Sequence, residues 1–249
     1  MGTRRTRRFW LCWALALGVT GVWPISTSPV QTSQPVGGAA HGSYVALTFD
    51  DGPWPGTTNA LLDGLAQRGV KATFFLVGEQ VADRAETVRR MADEGHQIGL
   101  HTWHHVSLKG MTPDQITSQL DQTRAAIREI VGPVDLMLRP PYGFVDDTLR
   151  QWAKAPIICW SLDTEDWKDP TPSRITADIL RQVKDGDIIL MHDIFDTSVT
   201  AALAAVDQLL AQGYQLVTVE ELFAQRGQDP QPGAVYCSLP PAQKEEVEP

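Results

Sequence analysis

Short apolar runs recur along the middle of the chain, each four to six residues long and bounded by turn-forming residues. They lie at Tyr44 to Phe49, Ala72 to Val77, Gln97 to Leu100, Leu136 to Arg139, Ile157 to Trp160, Ile188 to Met191 and Gln215 to Val219. Their length and flanks predict seven strands. Between them apolar residues return at helical spacing: Ile116, Leu120, Ile127 and Ile130, then Ile175, Ile179 and Val183, then Val199, Leu203, Val206 and Leu210. Thr112-Pro113-Asp114-Gln115 sets an N-cap hydroxyl before a first-turn proline with a glutamine three residues on, so a helix starts there, and Thr171-Pro172 repeats part of the signal. Alternating strands and helices imply a single α/β domain with parallel strands, either an open doubly wound sheet or a barrel. No G-x-G-x-x-G follows the first strand and no G-x-x-x-x-G-K-[ST] occurs, which removes support from the nucleotide-binding open sheets. No repeat of 20 to 50 residues is visible.

The two ends differ from this pattern. Four arginines, Arg4, Arg5, Arg7 and Arg8, precede an apolar run from Phe9 to Trp23. Residues 1–23 therefore read as a secretory signal peptide, or as an uncleaved N-terminal membrane anchor, since no clear A-x-A site follows. Residues 24–43, rich in Pro, Ser, Thr, Gln and Gly, read as a flexible linker, and residues 227–249, Pro-rich and ending KEEVEP, as a disordered tail. The folded domain is expected over 44–226, on a chain exported to the periplasm, cell envelope or exterior.

The 249 residues carry 43% hydrophobic and 20% charged residues, an ordinary globular composition with a net charge of −9. Without the four leading arginines the charge becomes −13. Such a body repels phosphate backbones, so nucleic acid is excluded as the expected partner and a neutral substrate is favoured. Three cysteines are too few for a disulfide framework or a thiolate zinc site. Export would permit a Cys159–Cys237 bond, although strand cysteines are commonly unpaired.

Ionisable residues gather where the strands end. The first strand runs into Asp50-Asp51-Gly52-Pro53. Asp-Gly-Pro is good turn chemistry by itself, but two adjacent carboxylates repel unless a cation or a proton lies between them. The third strand ends in His101-Thr102-Trp103-His104-His105. On a helical turn His101 and His105 would share a face and could present two imidazoles to one cation, with Asp51 as the third ligand; a solvated histidine cluster is the plainer reading, and His104 also fits by spacing. Two imidazoles and one carboxylate leave positions open on a divalent ion, as in catalytic sites. Later strands give Arg139-Pro140-Pro141-Tyr142-Gly143, Asp163-Thr164-Glu165-Asp166-Trp167 and Leu190-Met191-His192-Asp193. In barrel enzymes catalytic groups come from the C-terminal ends of different strands, and five of the seven strand ends here carry such motifs. His96 is expected to be structural.

With TFDDGP, HTWHH, RPPYG, DTEDW and IILMH in order, residues 44 to about 224 resemble the polysaccharide deacetylases, carbohydrate esterase family 4, with the chitooligosaccharide deacetylase homology domain. The resemblance implies an irregular (β/α) barrel of about seven parallel strands. It implies Asp50 as catalytic base, His192 as general acid, Arg139 and Asp166 as their respective partners, and Asp51, His101 and His105 as ligands of one divalent ion. It further implies Pro141, Tyr142, Trp167 and Leu190 as the substrate-binding set, the Tyr142 backbone N–H donating to the oxyanion and Trp167 and Leu190 receiving the acetyl methyl. His104 then falls on a variable position. Leu100 departs from the family pattern, which commonly has Asn there.

The implied activity is removal of N-acetyl groups from N-acetylglucosamine-type glycans, peptidoglycan or chitin-like, by a metal-activated water. Such an amide needs a polarised carbonyl, a base for the water and an acid for the departing nitrogen. O-acetyl xylan esterase, a non-catalytic glycan-binding protein and an amide hydrolase acting on small cyclic imides remain as alternatives. Zinc is the expected metal, with cobalt, nickel and manganese also suited to the ligand set. No protein partner is expected.

Overall fold

The computed structural model describes residues 42–241, so the signal or anchor expected over 1–23 and most of the linker lie outside the described residues. Among the described residues no helix is long and apolar enough to cross a membrane.

The elements alternate as β1 (Tyr44–Asp50), α1 (Pro55–Arg68), β2 (Thr73–Leu76), α2 (Gly78–Val81), α3 (Ala85–Asp93), β3 (Gln97–Leu100), α4 (Pro113–Val131), α5 (Asp147–Trp152), β4 (Ile157–Ile158), β5 (Leu162–Asp163), α6 (Pro172–Gln182), β6 (Ile188–His192), α7 (Asp196–Ala211), β7 (Gln215–Val217), α8 (Val219–Gln225) and β8 (Val235–Tyr236). Five strands lie side by side in the order β3-β2-β1-β6-β5, all parallel, while β7 pairs with the first half of β1 (Tyr44 with Gln215) and β2 with its last half (Thr48 with Thr73). Beyond β3 the ladder continues only through single bridges, Leu100 to Leu138 and Leu138 to Ile157, before β4 pairs with β8. The result is an α/β fold in which the barrel is irregular and not closed, which settles the choice the sequence left open.

The central strands β1, β2, β3 and β6 are buried on both faces, as parallel strands covered by helices must be. Along β1, Val45, Leu47 and Phe49 join the large cluster formed with the helices. Ala46 points the other way, into a smaller cluster with Phe75, Met137, Ile158, Ile188 and, from α8, Val219, Leu222 and Phe223. α8 seals the strands' N-terminal end: Val219 N–H donates to Thr73 Oγ1 (3.0 Å) and Glu220 N–H to Gln97 Oε1 (3.0 Å), both acceptors on the first residues of their strands. The opposite end stays open for the site.

The predicted start of α4 is present as a full capping box, Gln115 N–H on Thr112 Oγ1 and Thr112 N–H on Gln115 Oε1, with Pro113 in the first turn; such a cap contributes ~1 kcal/mol. At Thr171 the proline is in place, but the hydroxyl donates to Asp169 Oδ1 (2.8 Å) and does not cap α6.

The structure corrects two expectations. The tail is ordered through Pro241, not disordered from Gly227: β8 pairs with β4, Leu239 is buried in the inner cluster, and its N–H and C=O are taken by Gly186 O (2.8 Å) and Arg226 Nε (2.8 Å). A two-residue strand among prolines shows no period, so composition masked it. The run at 136–139 supplies only a bridge residue, Leu138, and the chain after β4 forms a further strand, β5, that the pattern did not announce.

Candidate active site

Adjacent aspartates end β1, and the fold separates their roles by turning the chain between them. Asp50 is the last residue of the strand, extended and buried; Asp51 has φ 72° and leads into a cis Gly52–Pro53 bond. Gly52 is required by contact: a Cβ there would lie 2.5 Å from the carboxylate of Asp193. Each aspartate then meets different partners, Asp50 a guanidinium and Asp51 two imidazoles, which separates the two carboxylates that the sequence set side by side.

Asp50 is held by Arg139, a fully buried guanidinium that makes four hydrogen bonds through its three nitrogens. Nη1 donates to Asp50 Oδ1 (2.8 Å) and Thr48 Oγ1 (2.6 Å), Nη2 to Cys159 O (2.9 Å), and Nε to Ile158 O (3.2 Å). The guanidinium lies over the ring of Phe75 at 4.3 Å. A buried pair this well satisfied fixes geometry, and removing one partner of such a pair costs ~3–5 kcal/mol. One Asp50 oxygen is thereby immobilised, and Oδ2 lies 3.8 Å from His101 Nε2.

Asp51 faces two imidazoles. Its Oδ1 is 3.4 Å from His101 Nε2 and 3.2 Å from His105 Nε2, and this buried oxygen has no hydrogen-bond partner. One ligand atom from each of the three residues lies within 4.8 Å of the others. His101 Nδ1–H donates to Arg139 O (2.8 Å), which fixes the tautomer and turns the Nε2 lone pair toward Asp51, the outer-shell arrangement of metal-ligating histidines. Burial would raise the Asp51 pKa, but the adjacent His101 imidazole, with the charges of His192 and His105, brings it down to about 2. Burial, the largest influence, lowers the His105 pKa and favours the neutral imidazole that can act as ligand. An orphaned buried carboxylate oxygen between two imidazole nitrogens fits a divalent cation.

The histidines reach this geometry without the helical turn that the spacing suggested. Residues 101–105 are irregular, with Thr102 at φ 61° and His105 at φ 52°. Left-handed backbone at a β-branched threonine is strained, and the surroundings hold it: Thr102 O accepts from Gly78 N–H (2.9 Å) and Thr102 Oγ1 from Val106 N–H (3.2 Å). His104 points elsewhere, exposed beside Gln119 and Glu79, and is no part of the cluster. His96 is buried, its Nδ1 accepting from Ala72 N–H (3.1 Å), and burial pushes its pKa down to about 4.

His192 ends β6, paired with Asp50 across the sheet. Its Nδ1–H donates to Asp166 Oδ1 (2.7 Å) and its backbone N–H to Asp166 Oδ2 (2.9 Å). Burial alone would lower the imidazole pKa; the Asp166 hydrogen bond and charge, with the charges of Asp50 and Asp51, outweigh it and lift the value to about 9. His192 is therefore an imidazolium at neutral pH.

These groups open into a cavity of about 400 Å³ lined by Asp50, Asp51, His101, His105, Tyr142, Trp160, Asp163, Trp167, Leu190, His192 and Phe195. Pro141, by contrast, is buried in the turn beneath Tyr142 and does not line it. Tyr142 sits at φ 63° and packs edge-on against His105 (5.2 Å), and Gly143 must be glycine because Trp160 would be 2.8 Å from its Cβ. Trp160 and Phe195 were not singled out from sequence, and Asp163 only as the first residue of its motif, with no role; Phe195 lies three residues past His192, a spacing with no chemical signature. Asp193, read only as the end of Leu190-Met191-His192-Asp193, is fully buried under Gly52, accepts from Thr58 Oγ1 and keeps Oδ1 unpaired. A larger hollow of about 490 Å³ lies at the opposite end of the strands, beside α4 and α8, and contains none of the motif residues.

Comparison with known proteins agrees with this geometry. The family model described as polysaccharide deacetylase matches residues 37–156. The peptidoglycan-N-acetylmuramic acid deacetylase PdaC of Bacillus subtilis is 43% identical over 178 residues, covering 72% of this chain and 38% of that protein. The chain thus spans about two-fifths of the length of such curated relatives. A peptidoglycan-N-acetylglucosamine deacetylase of Bacillus cereus is 36% identical over 193 residues, covering 75% of this chain and 70% of the relative. Among solved structures, a family 4 acetyl xylan esterase from Clostridium thermocellum in complex with cobalt superposes with a TM-score of 0.76 at 35% identity, covering 79% of this chain and 99% of that one. With five ordered motifs at its strand ends, their side chains assembled in one cavity, and relatives of this identity and coverage, the chain belongs to the polysaccharide deacetylase family.

Proposed function

We propose that this chain is a metal-dependent hydrolase that removes N-acetyl groups from N-acetylglucosamine-type glycans, peptidoglycan or chitin-like. One observation carries the reading: a carboxylate fixed by Arg139 and an imidazolium fixed by Asp166 flank an Asp-His-His cluster in a single cavity. Asp51, His101 and His105 would hold the divalent ion, with zinc the expected metal. When bound there, the ion supplies Lewis acidity that polarises the acetyl carbonyl and acidifies a water.

The protein's own groups do the rest. Asp50 takes the proton from the attacking water through its free oxygen, while Arg139 keeps the carboxylate ionised and aimed. The Tyr142 backbone N–H donates to the oxygen that gains charge, a contribution on the order of 3 kcal/mol. His192 delivers the proton that the departing nitrogen needs, and Trp167 and Leu190 receive the acetyl methyl. A proton donor near pKa 9 suits an amine leaving group, which must be protonated as the C–N bond breaks. An ester's alkoxide depends on that donor less, so N-deacetylation is preferred over the xylan esterase reading that the cobalt-bound relative brings to mind. The relatives' peptidoglycan substrates and the signal-like residues 1–23 support an exported protein acting at the cell envelope.

Purified protein tested on N-acetylated chitooligosaccharides, peptidoglycan and acetylated xylan separates the readings. Free amine release that stops with chelator and returns with divalent metal is expected. Acetate release from xylan alone would establish the esterase, and no release from any substrate would leave a glycan-binding protein of the same fold.

A further inference from the structure

Cys159 and Cys237 face each other across the β4–β8 seam. The parallel register pairs Ile157 with Val235 and Ile158 with Tyr236, and Cys159 N–H donates to Tyr236 O (2.8 Å), so the next opposed pair is Cys159 and Cys237. Register partners in a parallel ladder point to the same face. Ile157 and Val235, two residues earlier, both pack on the large helix-side cluster, and the thiols therefore share that face, away from the catalytic cavity. Neighbouring strands run ~4.8 Å apart, within the ~4.4–6.8 Å Cα separation that a disulfide spans. Cys237 is near enough to Cys159 to raise its pKa, and both are free thiols.

We propose that Cys159 and Cys237 form a reversible disulfide that clasps the C-terminal strand to the strand supporting Arg139. The oxidant is a disulfide, either a small-molecule one or that of a thiol oxidoreductase. Cys237, the exposed member, attacks as thiolate and expels one thiolate from the donor, leaving a mixed disulfide. Cys159 loses its proton and attacks the Cys237 sulfur, expelling the second. Two protein thiols are oxidised and one donor disulfide is reduced to two thiols. Burial pushes the Cys159 thiol up to about 11, which makes it the slower, resolving partner. The clasp acts where it is structurally useful: the carbonyls of Ile158 and Cys159 hold Arg139, and β8 is otherwise attached to β4 by only two paired positions.

The test is incubation of the full chain with excess oxidised glutathione, then alkylation and tryptic mass spectrometry. Cys12→Ser protein serves as the background, so that only these two thiols respond. The expected product joins the peptides 155–168 and 227–244 and is two hydrogens lighter than their sum. Closing a loop of roughly 80 residues raises Tm on the order of 5–10 °C, reversed by reductant. Cys237→Ser should abolish both the linked peptide and the redox dependence of Tm. Alkylation of both thiols after oxidation, a glutathione adduct that persists on Cys237, or the same Tm response in Cys237→Ser overturns the proposal.

Discussion

Asp166→Asn removes a charge beside His192 while leaving the shape almost unchanged. In the parent, the two Asp166 oxygens accept separately from the His192 ring and backbone, at 2.7 and 2.9 Å. Asparagine offers one oxygen to these two donors, and the other meets an amide NH2. Burial, already the largest single influence on the ring, then loses its main counterweight, because the Asp50 and Asp51 charges are shared with Arg139, His101 and His105. The imidazolium pKa should fall from about 9 to its ordinary 6.5 or below. A change of that size is worth ~3.4 kcal/mol of preference for the charged ring. At about pH 7.5 the protonated fraction drops from nearly all to roughly a tenth, so kcat/KM for amine release should fall ~10-fold or more. At about pH 6 most of that loss should be recovered, as the basic limb has moved and the acid itself is intact. Metal content, measured by elemental analysis, should match the parent. An unshifted basic limb in metal-replete Asp166→Asn protein would refute the assignment of His192 as an acid sustained by Asp166.

Asp50→Asn should keep a full complement of metal and a folded domain yet lose ~100-fold to 10,000-fold in rate, about 3–5 kcal/mol in the barrier; near-parent turnover would remove Asp50 from the base role. Metal titration should show weakened binding in Asp51→Asn and His105→Ala but not in His104→Ala, whose ring is exposed and outside the cluster; the reverse order for the two histidines would move the site. Asp193 provides a test in stability. Burial, only partly offset by Thr58, raises its carboxyl pKa to about 7, against 3.8 in the unfolded chain. The folded state therefore binds a proton that the unfolded state has released, and stability should decline by up to a few kcal/mol as pH rises from about 4 to 7. Buried His96, its pKa lowered to about 4, contributes the opposite slope to parent and variant alike, so urea melts across that window should decline more, or rise less, with pH in the parent than in Asp193→Asn, and equal slopes would show that the buried carboxyl is not the cause.

Local chemistry made the strands, the α4 cap and the order of the five polar motifs legible, because each depends on neighbours within a few residues: an apolar run, a Thr-Pro-x-Gln start, a turn at Asp-Gly-Pro. Sequence also pointed to the carboxylates and imidazoles that the cavity gathers, since paired carboxylates, closely spaced histidines and a strand-end His-Asp are uncommon except where charge is put to use, but it missed Trp160 and Phe195 and included Pro141, which does not line the cavity. What it could not determine was which aspartate meets the guanidinium and which the imidazoles. That depends on Arg139, 89 residues from Asp50, and on a reversal of the chain at Asp51, both set by packing in three dimensions. Asp193 lay in plain view in a motif, yet its isolation under Gly52 exists only after β1 and β6 pair. The histidine pair shows the limit of spacing rules most directly. A separation of four suggested a helical turn, whereas two left-handed residues, held by Gly78 and the Thr102 hydroxyl, bring the rings together. The C-terminal segment shows the converse: its composition is that of a free tail, but Leu239 and two β-bridging residues find a place only because the barrel leaves an unpaired strand for them. Burial and pairing are properties of the assembled chain, and these are what tertiary structure alone decided.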